Sequence, residues 1–242
     1  MPMDVDAAAL SRLLDLQGSD SAIMRLEHRK ETLEEAERLR AVNEQLAELG
    51  ADLEIARKQG AEIAREQDRI EGEMELLDTK IQKEEQRLFS GGVSNPKELS
   101  ALQAEVEMLK RRRGEQEDTL LEVMVNRDQA TATIRRLEAE QAEVSQTSQQ
   151  LTETVGSIMS EIDSELESNR ARRTSTAAEL PSDLIALYDQ IRSQKGGVGA
   201  AALVAGTCEG CHTQLPNKEV ERLKTEGGLQ RCENCRRILV VV

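Results

Sequence analysis

Apolar residues recur along most of the chain in alternating steps of three and four positions. One series starts at Leu39 and ends at Leu88, and a second starts at Leu99 and ends at Ile162. Such steps are typical of coiled coils, because they keep apolar side chains on one face of a slightly underwound helix. We call these positions the seam. The seam predicts two long helices that pair through their apolar faces.

Some seam positions are polar or lack a side chain. They are Gly60, Gln67 and Glu84 in the first series, and Arg113, Gln116, Arg127, Gln141 and Ser148 in the second. Arginine and glutamine at such positions usually set register or oligomeric state while their head groups reach solvent. We therefore expect these residues to specify pairing rather than to contact a partner.

The N-terminal part keeps a seven-residue repeat that is out of phase with the later series. The repeat consists of Leu16, Ile23, Leu26 and Leu33. A change of phase inside a coiled coil marks a local insertion or deletion in the repeat. It predicts a stammer near Ala36, where the coil would bend or overwind.

The segment between the two series has the residues of a turn followed by a helix start. Turn glycines precede Asn95 as a helix N-cap, Pro96 in the first turn and Glu98 three residues after the cap. A helix should therefore start at Pro96, after a tip loop near residues 89–97. Because the two series have comparable lengths, we expect one antiparallel hairpin over residues 5–174.

A second change of pattern follows the hairpin. Weak helix formers and Pro181 occupy residues 174–182 and end the long helix. A short amphipathic helix should begin near Ser182, end at Gly196–Gly197 and dock the C-terminal part onto the coil. We expect a strand over residues 198–205.

Composition supports helices and speaks against an ordinary globular core. Phe89 and Tyr188 are the only aromatic residues among 242, and 32% of the residues are charged. Strong helix formers dominate the first 175 residues, with Pro96 as the one proline between Val5 and Leu180. The C-terminal part therefore needs another source of stability.

All four cysteines lie near the C-terminus and supply that source. Cys208 and Cys211 form one pair with two residues between them, and Cys232 and Cys235 form another. This spacing lets each tight turn aim two sulfurs at one ion, which predicts a single tetrahedral Zn²⁺ site. Four protein ligands leave no position for water, so the zinc should be structural and not catalytic.

Other roles for the cysteines are less favoured. Disulfides need an oxidising compartment, and no signal peptide is recognisable near Met1. A redox pair normally opens a helix in a βαβ unit, which is not the context here. His212 follows Cys211 and could replace one sulfur, whereas His28 lies on a charged helix where a histidine is usually solvated.

These elements define the expected architecture. The fold class is mainly α, a long antiparallel coiled-coil helical hairpin with a small C-terminal β zinc ribbon. We expect a hairpin domain over residues 1–180 and a domain over residues 181–242 that holds the short docking helix and the C4 zinc ribbon. No nucleophile with a base, carboxylate dyad or open metal site can be assembled from these residues, so we predict that the protein is not an enzyme.

Three groups of residues occur together and resemble a known family. They are Asn95–Leu99 with Leu102–Gln103, then Leu187–Tyr188 with Gly196–Gly199, then Cys208–Pro216 with Cys232–Leu239. Together they resemble the bacterial family of coiled-coil hairpin proteins with a C-terminal C4-type zinc ribbon, over nearly the whole chain. The family is similar to Cys-Pro-x-Cys-Gly-Arg at the second pair, whereas this chain has Glu233 and Arg236 there. The usual glycine would suit a positive φ, so the substitution raises a question about the geometry of this turn.

The resemblance implies cytoplasmic, non-enzymatic adaptors. Members of the family are linked in some bacteria to flagellar or type III secretion, to an alternative sigma factor, or to RNA. These three roles point to two classes of function. One is an adaptor that holds protein partners, and the other is an RNA- or DNA-binding regulator.

Charge separates the two classes in part. The whole chain has a net charge of −14, but the residues from Lys195 onward carry +2. The hairpin should therefore repel phosphate, while the ribbon could contact a nucleic-acid backbone through Lys218, Arg222, Arg236 and Arg237. The ribbon lacks aromatics for base stacking, and Arg236 and Arg237 could instead offset the charge of a zinc–thiolate cluster.

The adaptor is the preferred hypothesis, with unidentified protein partners held by the hairpin and by the ribbon. RNA or DNA binding through the basic ribbon is the alternative. The sequence predicts no membrane association. It leaves a monomer and a homodimer open, since Ile55, Leu76 and Leu121 are apolar residues outside the seam.

Overall fold

The computed structural model describes residues 5–242, so residues 1–4 of the predicted 1–180 domain lie outside the described part. The described helices are α1 (Ala7–Glu31), α2 (Glu34–Phe89), α3 (Pro96–Ala178), α4 (Ser182–Gln194) and α5 (Asn217–Glu226). The strands are β1 (Ala200–Val204), β2 (Thr207–Cys208), β3 (Thr213–Gln214), β4 (Gln230–Arg231) and β5 (Ile238–Val241). The predicted fold class, a long helical hairpin followed by a small β region, is confirmed. None of the described helices is long and apolar enough to cross a membrane.

The chain forms two compact units. One unit consists of Arg38–Leu151, and the other consists of the described residues up to Glu37 together with Thr152–Val242. These units differ from the domains expected from the sequence, whose boundary after residue 180 stays a prediction. Each unit is described separately below.

The seam predicted from the sequence is the buried face of α2 and α3. All seam positions lie within the described residues, and every one is buried or half-buried except Arg127, which is exposed. In the Arg38–Leu151 unit, Leu49, Leu53 and Leu137 form a core cluster across the hairpin. A Cβ at Gly60 would lie 3.2 Å from Cδ1 of Ile134, so the missing side chain makes room for a branched neighbour.

Charged residues beside the seam fix the antiparallel register of this unit. Lys110 pairs with Glu85 at 2.6 Å and Arg57 pairs with Glu138 at 2.6 Å. Exposed pairs of this kind contribute only about 0–1 kcal/mol each to stability. Their value is in specifying which residues of the two helices stand opposite each other.

The seam arginine Arg113 reaches the edge of the hairpin, as its position predicts. Its guanidinium donates to Asp78 of α2 at 2.9 Å and to Glu117 of α3 at 2.6 Å. Both carboxylates raise the pKa of Arg113, and the hydrogen bond that Arg113 donates to Asp78 contributes most. Arg113 therefore holds two like charges together across the hairpin.

The tip of the hairpin matches the predicted turn. The Asn95 side chain accepts a hydrogen bond from the Lys97 amide at 3.0 Å, and α3 begins at Pro96. Gly91 has a φ of +74°, a conformation that favours glycine. Phe89, the last residue of α2, is 80% exposed.

The predicted stammer near Ala36 is instead a break in the helix at residues 32–33. The amide and the hydroxyl of Thr32 both donate to the carbonyl of His28, at 2.9 and 2.8 Å. Thr32 is the C-cap residue of α1. Its hydroxyl contact does not by itself end the helix, since Thr131 and Thr133 make the same contact inside α3. The change of seam phase therefore marks two separate helices.

Two other boundaries also differ from prediction. α3 continues to Ala178, four residues beyond residue 174, and ends where the amides of Glu179 and Leu180 close tight turns before Pro181. β1 starts at Ala200, the first residue that pairs with β5, and not at residue 198.

The ribbon is a five-stranded sheet with the order β3-β2-β1-β5-β4. β1 and β5 are parallel, with Ala200 beside Ile238, and the other neighbours are antiparallel. One face of this sheet packs on α1 and α4 through Leu13, Leu16, Leu184 and Tyr188. The same unit therefore contains the ribbon and the helices on which it rests.

Gln17 of α1 joins the ribbon to the helices. Its side-chain oxygen accepts hydrogen bonds from the Gly199 amide at 2.7 Å and from the Ala200 amide at 3.3 Å, and its nitrogen donates to the Gly197 carbonyl at 3.1 Å. The Gln17 side chain is buried, so these bonds satisfy polar atoms that water cannot reach. One glutamine thereby fixes the start of β1 on α1.

Asp20 and Tyr188 complete this junction. The Tyr188 hydroxyl, fully buried, donates to Asp20 at 2.8 Å, and Asp20 also accepts from Arg173 at 2.8 Å and Arg192 at 3.1 Å. Burial raises the pKa of Tyr188, and the hydrogen bond to Asp20 raises it further. The two arginines neutralise a carboxylate that is only 3% exposed, which is what allows it to stay buried. We call Gln17, Asp20, Arg173, Tyr188 and Arg192 the Tyr188 junction.

Substitution of Gly199 tests this close packing. A Cβ at Gly199 would lie 2.7 Å from both the ring and the carbonyl oxygen of Tyr188. We expect Gly199→Ala to lower the free energy of unfolding by about 1–3 kcal/mol, measured by urea titration. The matched control is Gly18→Ala on α1, where a Cβ meets nothing within 4 Å. This control should raise stability by about 0.5–1 kcal/mol; equal effects of the two variants would contradict the packing.

Candidate metal centre

The first cysteine pair lies after a tight turn of the sheet. β2 returns antiparallel to β1, so that Cys208 stands beside Leu203. The amides of Cys211 and His212 then donate to the Cys208 carbonyl at 3.2 and 2.7 Å. These bonds wrap the backbone around the Cys208 side chain and direct both sulfurs to the same side.

The second pair repeats this arrangement. Cys232 directly follows β4, and the Arg236 amide donates to its carbonyl at 2.9 Å. The Cys232 amide in turn donates to the Arg237 carbonyl at 3.0 Å, which closes the turn before β5. Each pair is thus a turn between two strands.

The four predicted ligands meet in one cluster. All four sulfurs lie within 4.8 Å of one another, with Cys208 and Cys235 at 3.9 Å and Cys211 and Cys232 at 3.9 Å. Sulfurs at the corners of a zinc tetrahedron with bonds of about 2.3 Å are about 3.8 Å apart. Disulfide sulfurs would be about 2 Å apart. The cluster therefore fits a zinc ion, and its cysteines are free thiols.

The four thiols differ in their surroundings. Cys208 and Cys232 are fully buried, and burial raises the pKa of both, that of Cys208 to about 12. The Thr213 hydroxyl and then the Asn234 side chain lower the pKa of Cys211 to about 6. Without a cation the two buried thiols keep their protons, and a bound Zn²⁺ would supply the charge that lets all four ionise.

His212 is not part of the cluster. It is exposed and has a φ of +55°, and the metal-binding group found among the described residues consists of the four cysteines. His28 lies on α1 and is likewise outside it. The donor set is thus four sulfurs, which leaves a tetrahedral ion no position for water.

The substitution of glycine by Arg236 is accommodated in the second turn. Arg236 adopts a φ of +66°, and its amide still bonds to Cys232. The geometry that favours glycine is therefore kept by a residue with a Cβ, at a cost of about 1–2 kcal/mol. The turn therefore keeps the backbone geometry that glycine would favour, and Arg236 adopts it with backbone strain.

Arg237 has a structural role that the sequence did not reveal. Its guanidinium donates to the carbonyls of Val198 at 2.9 Å, Gly210 at 2.8 Å and Lys195 at 2.8 Å. A Cβ at Gly210 would lie 2.9 Å from Cδ of Arg237, so the glycine lets the arginine pass. Arg237 thus ties the first cysteine turn to the segment between α4 and β1.

The other basic residues of the ribbon fall into two groups. Arg222 bonds to Glu219 and Glu226, and Lys224 lies 3.7 Å from Glu221. Lys218, Arg231 and Arg236 are exposed and form no ion pair among the described residues. Of the four residues predicted to contact nucleic acid, Lys218 and Arg236 therefore keep accessible charges without a carboxylate.

Metal analysis tests the site directly. Protein purified without added metal should contain about one zinc per chain, and Cys208→Ser should lose it, since three ligands hold zinc far less tightly. Ser164→Cys, at an exposed position of α3, is the control, because a thiol added away from the cluster should leave the zinc content unchanged. Zinc well below one per chain in the unsubstituted protein would contradict the site.

Arg236→Gly tests the strained turn. Removing the Cβ should stabilise the zinc-loaded ribbon by about 1 kcal/mol, measured by thermal unfolding with zinc present. Arg231→Gly, at an exposed position of β4, should instead destabilise it, because glycine weakens a strand. A loss of stability in Arg236→Gly would rule out the strain.

Comparison with known families matches both parts of the chain. Residues 16–196 match the CT398-like coiled coil hairpin domain, and residues 207–239 match the C4-type zinc ribbon domain. An uncharacterized protein of Mycobacterium tuberculosis is 28% identical over 244 residues, which covers 98% of this chain and 97% of the relative. An uncharacterized protein of Mycobacterium leprae is 28% identical over 167 residues, covering 65% of this chain and 70% of that protein.

Solved structures share the fold. A protein from Mycobacterium smegmatis superposes with a TM-score of 0.84 at 23% identity, covering 99% of this chain and 100% of the other. CT398 from Chlamydia trachomatis superposes with a TM-score of 0.69 at 20% identity, covering 97% and 98%. The predicted resemblance to bacterial hairpin proteins is confirmed, and the chain belongs to the CT398-like coiled-coil hairpin family, here followed by a C4-type zinc ribbon.

Proposed function

We propose that the protein is a non-enzymatic adaptor in which a zinc-stabilised ribbon and a coiled-coil hairpin each hold a protein partner. The observation that carries this proposal is the set of large apolar side chains left exposed outside the seam. They include Ile55, Leu76, Phe89, Leu121 and Val125 on the hairpin and Val204 and Val242 on the ribbon. Neighbouring exposed apolar side chains, as at Leu121 and Val125, favour contact with another protein.

The chemistry of the buried polar groups supports a role without catalysis. Four sulfurs leave zinc no open position, and Asp20 is fully occupied by Tyr188, Arg173 and Arg192. Catalytic groups need an accessible acid, base or metal beside a cleft. A cytoplasmic location fits the four free thiols, because a reducing compartment keeps them available to the metal.

RNA or DNA binding through the ribbon is the second candidate. It is supported by Lys218, Arg231 and Arg236, which are exposed and lack carboxylate partners among the described residues. Of the other residues predicted for this role, Arg222 is engaged by glutamates and Arg237 by backbone carbonyls. The charge available to phosphate is thus smaller than composition suggests.

Co-purification from the native cell tests the adaptor. The full-length tagged protein should retain specific protein partners after treatment with RNase and DNase. A Leu121→Gln, Ile55→Gln, Leu76→Gln variant should lose hairpin partners without unfolding, as judged by its helical circular dichroism. Loss of every partner on nuclease treatment would contradict the adaptor.

A double variant of the ribbon tests nucleic-acid binding. Lys218→Ala with Arg236→Ala should weaken binding of a mixed-sequence RNA and reduce its salt dependence, if the ribbon contacts phosphate. Arg237 is left intact because its substitution would disturb the fold. Lys83→Ala with Lys97→Ala near the hairpin tip is the matched control for lost charge. Equal RNA binding by unsubstituted protein and ribbon variant would exclude this candidate.

A further inference from the structure

One flank of the hairpin has a gap in its row of interhelical ion pairs. With Leu39 and Leu99 as heptad a positions, the seam occupies a and d, and each e position flanks it. Lys110–Glu85 and Arg57–Glu138 are pairs between e positions of the two helices. Each e residue of α2 lies opposite an e residue of α3. Because the helices are antiparallel, one heptad toward the N-terminus of α2 corresponds to one heptad toward the C-terminus of α3.

Between these two pairs the row contains no opposite charges. The same register places Asp78 opposite Glu117, and Glu71 opposite Met124. Arg113 bridges the first of these pairs, and Gln67 donates to Glu71 at 2.6 Å. Ala64 opposite Thr131 completes the stretch, which therefore has no ion pair between e positions of the two helices.

Apolar side chains occupy the gap. Leu121 is 57% exposed, Met124 38% and Val125 56%, at the i, i+3, i+4 spacing of one helix face. A shallow groove runs beside them, with Met74 and Leu120 at its base and Glu71, Glu75 and Asp78 along its side. The groove and the three exposed residues together form what we call the flank patch.

The flank patch is surrounded by carboxylates. The e and b positions over residues 61–82 and 114–131 contain six acidic residues and no lysine or arginine. The acidic residues are Asp68, Glu71, Glu75, Asp78, Glu117 and Asp128, and all are exposed. The seam arginines Arg113 and Arg127 offset part of this charge through Asp78, Glu117 and Asp128. An acidic rim around an apolar centre remains.

We propose that the flank patch binds a cationic amphipathic helix of a protein partner, which lies along α2 and α3 as a third helix. The apolar face of that helix covers Leu121, Met124 and Val125, and its lysines or arginines meet the acidic rim. A second copy of this chain paired through the same flank would set carboxylates against carboxylates, which opposes such a dimer. The inference rests on the proposed adaptor function and names the partner's chemistry at one of its surfaces.

A designed peptide provides the probe. It is about three heptads long, with leucine at a and d and lysine at most other positions, and its binding to the full-length protein is measured by fluorescence anisotropy. Leu121→Gln with Val125→Gln should weaken binding about tenfold or more, since two apolar contacts are lost. Leu76→Gln is the matched control, because Leu76 is 72% exposed at a c position of the opposite flank.

Charge is tested separately from apolar contact. Asp68→Asn with Glu75→Gln should reduce the salt dependence of peptide binding while the apolar contacts of Leu121 and Val125 remain. A scrambled peptide of the same composition, which has no apolar face, should bind at least tenfold more weakly. Equal binding of the scrambled peptide, or an equal loss in Leu76→Gln, would overturn the proposal.

Two further outcomes separate this inference from its alternatives. Sedimentation that shows a dimer dissociated by Leu121→Gln with Val125→Gln would identify a second copy as the occupant and overturn the proposal. Retention of all cellular partners by that variant would leave the adaptor function standing and refute the flank patch. Crosslinking from position 121 to a basic amphipathic segment of a co-purified protein would support it.

Discussion

Scarcity of aromatic side chains is the constraint on which the rest of this structure depends. With one phenylalanine, one tyrosine and 32% charged residues, the chain has no ordinary core. It buries apolar surface along a narrow seam between two long helices and gathers four sulfurs in the ribbon. Tyr188 is fully buried where the helices and the ribbon of one unit meet, and its hydroxyl donates a hydrogen bond to Asp20. The seam, the sulfur cluster and Tyr188 thus each stabilise a part of the chain that has no large aromatic core.

Local and periodic features were predictable from the sequence. The seam positions are buried or half-buried with the exception of Arg127, α3 begins at Pro96, and the four cysteines meet in one cluster. These features depend on residue spacing, on capping and on turn chemistry, which act over a few residues. The change of seam phase before Leu39 was also visible in the sequence. The predicted stammer was wrong, because a break separates α1 from α2 there. α1 ends at Glu31 with Thr32 as its C-cap, and no rule of spacing places the break there.

Features that depend on distant contacts were not predictable. Gln17 meets Gly199 across 182 positions of sequence, and Arg237 bonds to carbonyls of Lys195, Val198 and Gly210. The sequence offered Arg237 as a charge for zinc or phosphate, because nothing local shows that its guanidinium is enclosed. Glycines gave an indirect signal, since Gly199 and Gly210 leave the space that Tyr188 and Arg237 fill. The polar contacts that define this part of the fold therefore appear only once the chain is folded.

The proposed function gives separate roles to the cysteines and to the exposed side chains. In the proposed adaptor, the cysteines shape the ribbon, and exposed side chains outside the seam recognise partners. Zinc K-edge X-ray absorption of the full-length protein tests the closed site most directly. We expect four zinc–sulfur distances of about 2.3 Å and no nitrogen or oxygen neighbour. An oxygen or nitrogen ligand at about 2.0–2.1 Å would show an open or mixed site and would contradict a purely structural metal.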